Sequence, residues 1–416
     1  MSPLGRAVWW GYGAAGRIMA PLAAPYLRKR AGRGKEDRNR LREKQGHPSA
    51  AAPSAPPVWI HGVSVGEALV AVDLARALDG PVLITTGTPT AAERVAALAP
   101  DLTHQYAPLD TPPFVDRFLN HWRPRAALFV ESDIWPTTVH RLAARSIPIA
   151  LVNARLSERS FRRWAGRPFL SGPLFGQIDA AIAQSDADAA RFGTLGVRKV
   201  VTSGNIKFDA TPPPADPALV ATLREAIGER PVWIAASTHP GEETAAIAAH
   251  THLRAHADTV MLLAPRHPQR GDEVALEAQN AGVVRRRSKG EAAGGDIIVF
   301  DTLGELSAAF QVAQVAFMGA SLIPLGGHNP AEAAHAGAAL VTGRDHGEMF
   351  RPFVEANAAC VVTDADGLTE TLASLMADQA ARQRMAGAAR QVLAQCQGAR
   401  ARTLKALAPL LDGRPS

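Results

Sequence analysis

The ten residues 58–67, VWIHGVSVGE, indicate how the chain begins its fold. The apolar run Val58–Ile60 predicts a buried strand, and the glycines after it allow a tight loop. Ser64 and Glu67 form a Ser-x-x-Glu capping box, which predicts a helix that continues to Leu78. A strand that passes directly into a helix is the repeating unit of a parallel α/β sheet.

The same alternation continues on both sides of a proline-rich break at residues 211–214, TPPP. Before the break, the pattern predicts strands at Val58–Ile60, Val82–Thr86, Ala126–Val130, Ile147–Val152, Ala180–Ala183 and Lys199–Thr202, and helices at Glu67–Leu78 and Ala91–Leu98. After the break, it predicts strands at Val232–Ala236, Val260–Ala264, Ile297–Phe300, Val315–Met318, Ala339–Val341 and Cys360–Val362, and a largely helical end at Leu368–Leu411.

Two such series imply two Rossmann-like, doubly wound α/β domains. We expect the domains to span residues 50–210 and 211–416, to face a central cleft, and to be preceded by a separate segment, 1–49. Nucleotide-sugar transferases are built in this way, but so are some epimerases and binding proteins. The architecture alone therefore does not define the reaction.

The composition fits a two-domain globular protein. Of the 416 residues, 47% are hydrophobic, which is enough to build sizeable cores. The two cysteines, Cys360 and Cys396, match no zinc spacing and suggest no disulfide framework, so we expect a reducing compartment. The sequence contains no His-Glu-x-x-His motif and no P-loop, and we expect neither a metal nor a cofactor.

The net charge of +6 and the isoelectric point of 9.7 favour an anionic partner, such as a phosphorylated substrate or an acidic membrane. Nine lysines and arginines lie between Arg28 and Lys44, against only Glu36, Asp37 and Glu43. Because no RNA- or DNA-binding motif accompanies this basic run, we expect no nucleic-acid partner.

The segment Ala7–Leu27 is mostly apolar and rich in aromatic residues. Arg17, Pro21 and Pro25 argue against a membrane-spanning helix. We expect the segment to lie in a membrane interface, with the basic run facing anionic lipid; a helix packed on the protein itself is the alternative. Residues 11–16, GYGAAG, match the dinucleotide fingerprint, but no convincing strand precedes them, so we expect no nicotinamide site.

Three segments place polar side chains at strand ends in the first domain, where open α/β sheets bind ligands. Glu67 could be a general base, because the helix dipole favours its ionised form, or could only cap the helix. Glu131 and Asp133, in ESDIWP, could act as acid and base or bind sugar hydroxyls, although Asp133 could equally cap a helix. Lys207, in GNIKFD, could neutralise a leaving phosphate or simply lie at the surface.

Three further segments occupy the same position in the second domain. Arg266, in PRHP, suits a phosphate or a carboxylate, whereas Ser237–Glu243 could mainly be a helix start. The glycine-rich segment 326–332, GGHNPAE, opens a helix and suits an anion. In it, Asn329 is expected to be the N-cap, Pro330 the first helical residue and Glu332 the N3 capping partner.

In combination, these segments resemble one family, the 3-deoxy-D-manno-octulosonic acid (Kdo) transferases of lipid A biosynthesis. The resemblance runs from about Trp59 to Gly343. Its motifs are WIH at 59–61 through Glu67, ESDIWP at 131–136, NARLS at 153–157, GNIKFD at 204–209, STHP at 237–240, PRHP at 265–268, DTLGEL at 301–306 and GHNP at 327–330 through Glu332.

The resemblance implies a two-Rossmann (GT-B) fold and an inverting, metal-independent transfer of Kdo from CMP-Kdo to the 6′-hydroxyl of the lipid A precursor, lipid IVA, at the cytoplasmic face of the inner membrane. It implies that Glu67 accepts the proton and that Glu131 and Lys207 stabilise the transition state. It also implies CMP binding by Pro265, Arg266, Leu303, Gly304, Glu305, Asn329, Pro330, Ala331 and Glu332. Two departures from the family pattern are Ala331, where the family has a longer residue, and Arg17, within an otherwise apolar anchor.

Two other kinds of protein remain possible from the sequence. One is another GT-B nucleotide-sugar enzyme, such as a lipid-A disaccharide synthase or an epimerase. The other is a non-catalytic lipid- or nucleotide-binding protein. Glu67 distinguishes them, because an epimerase need not place its base after the first strand, and a binding protein should tolerate the loss of this carboxylate.

Overall fold

The computed structural model describes residues 3–210, 212–292 and 294–412. The chain forms two compact units, which meet in the sequence between Asp209 and Ala210. The predicted proline-rich break falls at this boundary, although Thr211 itself lies outside the described residues. Each unit is an α/β structure built on its own parallel sheet.

The first unit alternates strands and helices. Its strands are β1 (Val58–Gly62), β2 (Val82–Thr86), β3 (Thr103–Tyr106), β4 (Ala126–Val130), β5 (Ile149–Ala154), β6 (Ala180–Ala183) and β7 (Lys199–Thr202). Its first nine helices are α1 (Pro3–Met19), α2 (Ala23–Ala31), α3 (Val65–Ala75), α4 (Pro89–Leu98), α5 (Pro112–Trp122), α6 (Pro136–Ala143), α7 (Glu158–Ala165), α8 (Pro168–Phe175) and α9 (Asp186–Leu195). Over the described residues, the strands form one parallel sheet in the order β3-β2-β1-β4-β5-β6-β7, which extends the Rossmann order.

The second unit repeats the architecture. Its strands are β8 (Val232–Thr238), β9 (Val260–Pro265), β10 (Val284–Arg286), β11 (Ile297–Val299), β12 (Val315–Met318), β13 (Ala339–Gly343) and β14 (Ala359–Val362). Its helices are α10 (Pro217–Ile227), α11 (Glu242–Arg254), α12 (Gly271–Ala278), α13 (Leu306–Val312), α14 (Ala331–Ala336), α15 (Gly347–Glu355), α16 (Ala365–Ala377) and α17 (Gln379–Cys396). In the described part of this unit the parallel strand order is β10-β11-β9-β8-β12-β13-β14.

The predicted α/β fold with two doubly wound sheets is confirmed. Central strands such as β4 are buried along their whole length, because helices cover both faces of a parallel sheet. Two strands were not predicted, β3 and β10, and each lies at the edge of its sheet. Their sequences, THQY and VRR, contain polar and charged residues and therefore lack the apolar run of a buried strand.

The last helix, α18 (Ala399–Leu411), differs from the expected domain division. Alternation along the chain would place it in the second domain, but residues 397–412 pack on the first unit. The Asp209 carboxylate accepts the backbone N–H groups of Gly398 and Arg400, at the start of the helix. Leu407 is buried in the apolar core that contains β1 and α3. Apolar burial and the cap at Asp209 therefore return the chain end to the first unit.

The N-terminal residues also belong to the first unit. Residues 11–16, which match the dinucleotide fingerprint, lie inside α1 rather than between a strand and a helix. The side chain of Trp9 packs on the apolar core of the unit. No helix among the described residues is long and apolar enough to cross a membrane.

Part of the basic run folds against the edge of the first sheet. Glu36 pairs with Arg30 at 2.7 Å and with Lys44 at 2.6 Å. Arg40 pairs with Glu43 at 2.7 Å and stacks over the ring of Tyr106 in β3. The other basic side chains of the run remain exposed: Arg28, Lys29, Arg33, Lys35, Arg38 and Arg42.

Candidate active site

The first unit brings two of the predicted segments together at one end of its sheet. In a doubly wound sheet, ligands bind at the carboxyl ends of the strands, where the strand order reverses. This switch point lies between β1 and β4, which pair directly although they are distant in sequence. Glu67 lies in the first turn of the helix after β1, and Glu131 directly follows β4.

Glu67 caps its own helix. Its backbone N–H donates to Ser64 Oγ at 3.3 Å, and the Ser64 hydroxyl donates to Glu67 Oε1 at 2.6 Å. The Val63 N–H donates to Oε2 at 2.7 Å. The capping interpretation is therefore confirmed. Each carboxylate oxygen has two lone pairs, so the cap fixes the orientation of the group and leaves capacity to accept a proton.

Gly62 is needed where the β1 chain turns toward Glu67. A Cβ atom at this position would lie 2.9 Å from the main-chain carbon of Glu67, closer than real Cβ atoms approach backbone. Any larger residue would therefore push Glu67 out of place. The position of the carboxylate is thus built into the backbone of the loop.

Residues 62–66 also spell Gly-x-Ser-x-Gly, the pattern of the nucleophile elbow of α/β hydrolases. The elbow requires a strained backbone that exposes the serine as a nucleophile. Ser64 instead has a relaxed, extended backbone with φ of −93° and is the N-cap of α3. The serine is a capping residue here.

An ion pair lies beside this loop. Lys207 Nζ is 2.7 Å from Glu131 Oε1, and both side chains are partly buried. The same ammonium group would be 3.6 Å from a Cβ atom placed on Gly66, so it lies against the loop that carries Glu67. The structure therefore brings together the three residues predicted to be catalytic.

Glu131 is held in a strained backbone conformation. Its φ is +62°, which is unusual for a residue with a side chain and is typical of functional sites. Its N–H donates to the carbonyl of Val152 in β5 at 2.9 Å. The turn that carries Lys207 is fixed by Asn153, whose side-chain oxygen accepts the Ile206 N–H at 2.9 Å. Asn153, in the NARLS segment, therefore has a structural role in this turn.

The alternative role of Asp133 as a helix cap is wrong. The first turn of α6 is capped by Asp110, which accepts the N–H groups of Thr137 at 3.0 Å and Thr138 at 2.8 Å. The helix starts at Pro136, and the side chain of its N-cap residue, Trp135, makes no hydrogen bond to the helix. Asp133 is half-buried, and burial, followed by the neighbouring Glu67 and Glu131, raises its pKa to about 7.

His61 is a structural residue. It is buried in β1, and its Nδ1 lies 2.8 Å from Thr85 Oγ1, which also accepts the Trp59 indole N–H. Burial lowers the pKa of His61 to about 4, so the imidazole is neutral near pH 7. It supports the strand behind Glu67.

In the second unit the switch point lies between β8 and β12. His239 follows β8 and stacks on His328, in the glycine-rich loop after β12, with ring centroids 5.9 Å apart. His267 meets the edge of His239 at 5.7 Å, next to the predicted Arg266. Burial, and then the nearby Arg266 and His239 charges, lower the pKa of His328 to about 4. The site is thus aromatic and cationic, which suits a nucleotide.

Glu242 organises this site, although the sequence indicated only a helix start there. Its carboxylate is fully buried and accepts four backbone N–H groups. The donors are Ala320 at 2.7 Å, Ser321 at 2.9 Å and Leu322 at 3.0 Å in the loop after β12, and His239 at 3.1 Å. The φ of Ala320 is +59°. The carboxylate therefore holds the start of the glycine-rich loop in a strained conformation.

We expect the Glu242→Gln substitution to destabilise the protein by about 2–6 kcal/mol, because two of the four buried donors lose their acceptor at about 1–3 kcal/mol each. Urea unfolding would measure the loss, and calorimetric titration with CMP is expected to show weaker binding. The matched control is Glu225→Gln, on the exposed face of α10. Equal unfolding free energies for the two variants would contradict this role of Glu242.

The remaining predicted CMP residues lie on loops at the same end of the second sheet. Pro265 ends β9, and Leu303 and Gly304 are exposed in the loop after β11. Glu305 pairs with Arg287 at 3.0 Å, a contact that the sequence did not indicate because Arg287 lies beyond the unpredicted strand β10. Buried Asp301 pairs with Arg286 beneath this loop.

The start of α14 differs in detail from the prediction. The Asn329 side-chain oxygen accepts the Ala331 N–H at 2.9 Å, so Asn329 does cap this turn, but Pro330 precedes the first helical residue. The prediction that Glu332 is the N3 capping partner is wrong. Its carboxylate instead accepts the hydroxyl of Ser307, which ties the start of α14 to α13.

Two doubly wound parallel sheets in one chain correspond to the GT-B type of fold, which many glycosyltransferases have. A solved glycosyltransferase from Rickettsia africae is similar with a TM-score of 0.57, over 86% of this chain and 99% of that chain. At 11% sequence identity, this likeness concerns the fold alone.

Sequence relatives define the family. The family model of 3-deoxy-D-manno-octulosonic-acid transferases (kdotransferases) matches residues 38–210. The 3-deoxy-D-manno-octulosonic acid transferase of Haemophilus influenzae is 35% identical over 90% of this chain and 92% of that protein. The corresponding protein of Bordetella pertussis is 38% identical over 86% of this chain and 88% of that protein. The chain belongs to the Kdo transferase family.

Proposed function

We propose that this chain transfers Kdo from CMP-Kdo to the 6′-hydroxyl of lipid IVA, with inversion at the anomeric carbon and with Glu67 as the general base. The observation that carries the proposal is the Glu67 carboxylate fixed at the switch point of the first sheet, beside the Lys207–Glu131 pair, in a member of the Kdo transferase family.

The chemistry follows from the groups present. The acceptor oxygen attacks the anomeric carbon of Kdo as the bond from that carbon to the CMP phosphate oxygen breaks. The electron pair of that bond leaves with CMP, and the hydroxyl proton moves to Glu67. Lys207, positioned by Glu131, stabilises negative charge that develops in the transition state.

The second unit supplies the donor-binding side chains of the proposal. Arg266 is exposed after β9 and offers a fork of N–H donors to the CMP phosphate. Residues 303–305 and 329–332 include the remaining proposed CMP residues. A hydrogen bond from Ser307, in the helix after the first of these segments, to Glu332 connects the two regions. Cationic donors can meet the phosphate charge directly, so the proposal requires no metal.

The lipid acceptor and the cytoplasmic face of the inner membrane belong to the proposal, supported by the surface of the first unit. Trp10 is 76% exposed, Ile18 75% and Leu22 55%, along α1 and the turn after it. A cavity of about 390 Å³ lies beside α1 and is lined by aromatic side chains together with Arg17 and Arg141. Aromatic groups next to exposed basic residues suit a phosphorylated lipid in an anionic surface.

For the double variant Trp10→Ser and Ile18→Ser, we expect affinity for vesicles of anionic lipid to fall by about tenfold or more, since each apolar side chain contributes roughly 1.5–3 kcal/mol when buried. Vesicle co-sedimentation measures the change. Leu276→Ser removes an apolar residue of the second unit that is 67% exposed and is expected to leave binding unchanged. Equal binding of the double variant and the wild type would contradict the proposed membrane contact.

The proposed reaction is tested by the structure of its product. Purified protein is incubated with CMP-Kdo and lipid IVA, and the lipid product is analysed by NMR. We expect Kdo at the 6′-position with an anomeric configuration opposite to that of the donor. Attachment at another hydroxyl, or retained configuration, would contradict the proposal. Conversion of a nucleotide sugar to its epimer without any acceptor would instead favour the epimerase alternative.

A further inference from the structure

We infer that Asp133 acts as a positioning residue that shares a proton with Glu67, so that the two carboxyl groups work together as one general base. The inference rests on the proposed function, because it deepens the role of the same site. The sequence offered Asp133 as an acid or base beside Glu131, as a sugar-binding group or as a helix cap; the inference instead couples it to Glu67.

The fold places the two groups side by side. Glu67 follows β1 and Asp133 follows β4, and these strands pair in register from Val58 with Ala126 to His61 with Phe129. The carboxyl group of Asp133 lies within hydrogen-bonding reach of that of Glu67. Two carboxyl groups form a hydrogen bond with each other only when one of them carries a proton.

In the described part of the chain, Asp133 has no partner other than Glu67 in a hydrogen bond or an ion pair. Asp110 already provides the cap of α6, so Asp133 is not needed there. The Lys207 ammonium group, which lies beside the cluster, is paired with Glu131 at 2.7 Å. Among the described residues Asp133 itself enters no ion pair within 4.0 Å, which leaves Glu67 as its neighbour.

The charges around the pair favour retention of one proton. Glu67 faces Asp133 from α3 and Glu131 faces it from the loop after β4, while Lys207 approaches from the turn after β7. Lys207 offsets the charge of Glu131. The Val63 N–H, the Ser64 hydroxyl and the start of α3 stabilise the ionised form of Glu67, so the retained proton lies on Asp133. Burial and the two carboxylates together raise the pKa of Asp133 to about 7.

A shared proton changes the strength of the base. The two protonation steps belong to the pair, and the step near pH 7 is the last proton that the pair releases. The fully ionised pair regains that proton more readily than an isolated glutamate, whose ordinary pKa is about 4.3. During transfer, the proton of the acceptor hydroxyl moves to Glu67 and is shared with Asp133, and it passes to water after the product leaves. A base with a pKa near the working pH is the more effective catalyst.

The pH dependence of kcat/KM tests this inference. For the wild type, we expect the rate to rise with pH through an apparent pKa near 7. In the Asp133→Asn variant, the amide can still donate a hydrogen bond to Glu67, but it lacks the negative charge of the aspartate. We expect its rising limb to move down by at least one pH unit and its rate at pH 8 to fall by about tenfold or more. The Asp133→Glu variant keeps a carboxyl group and is expected to keep the limb near 7.

Controls separate charge from structure. Asp186→Asn, at an exposed position in α9, is expected to leave the profile unchanged. Equal urea midpoints for Asp133→Asn and the wild type exclude a folding defect, and Asp133→Ser provides a second variant if the asparagine does not fold. A limb that stays near 7 in folded Asp133→Asn would overturn the inference while leaving Kdo transfer intact. Absence of transfer by the wild type would overturn the proposed function itself.

Discussion

The Glu67→Gln variant is expected to transfer Kdo with a kcat lowered by about two orders of magnitude or more, the scale of losing a general base. Glutamine preserves the capping role, since it is accepted at the third position of a capping box. It cannot take the proton of the attacking hydroxyl. The substitution therefore separates the two roles that the structure combines in Glu67, the cap with Ser64 and the proposed base.

The comparison requires that binding and folding be measured with the rate. The affinity for CMP, obtained by calorimetric titration, is expected to remain unchanged, because the proposed CMP residues lie in the second unit. Glu93→Gln replaces an exposed glutamate in α4 and is expected to retain full activity. A kcat within about threefold of wild type for Glu67→Gln would show that the residue is a helix cap only.

The second large effect is expected for Lys207→Met, with a fall in kcat of about 10²–10³, as for removal of one stabilising donor at a developing negative charge. Methionine retains much of the length of the side chain without its charge. The variant also leaves Glu131 without its partner at 2.7 Å, next to two other carboxyl groups. Steady-state transfer kinetics over a range of acceptor concentrations would measure the effect.

Lys199→Met is the matched control, because Lys199 is exposed on β7, the strand that precedes the Lys207 turn. We expect it to have wild-type kinetics. If Lys207→Met raised KM and left kcat unchanged, Lys207 would contribute to substrate binding equally in the ground state and the transition state. That result would contradict its proposed role in transition-state stabilisation.

Most of the fold could be predicted from the sequence because a buried parallel strand leaves a plain apolar run. The interior strands β2, β4, β6 and β12 and the edge strand β7 begin and end at the predicted residues. The edge strands β3 and β10 carry polar and charged residues, THQY and VRR, and so have no such run. The return of α18 to the first unit depends on contacts such as that between Thr403 and Ser203, 200 residues apart, which local patterns do not encode.

In the candidate site, too, local sequence patterns indicate some residues, whereas others depend on contacts between distant parts of the chain. Glu67, Glu131 and Lys207 were predicted from their positions after strands and from the family resemblance, and the structure brings them together. The sequence suggests Asp133 as a helix cap, because the actual cap, Asp110, lies 27 and 28 residues before the two N–H groups that it accepts. The sequence does not indicate the role of Glu242, because three of the four N–H groups that its carboxylate accepts lie 78 to 80 residues away.

Kdo transfer itself is tested most directly by mass spectrometry of lipid IVA after incubation with the wild-type protein and CMP-Kdo. We predict that the lipid gains the mass of Kdo, that CMP is released in equal amount, and that both changes require the two substrates together. Release of CMP without any gain of mass by the lipid, beside an active Kdo transferase as control, would contradict the account.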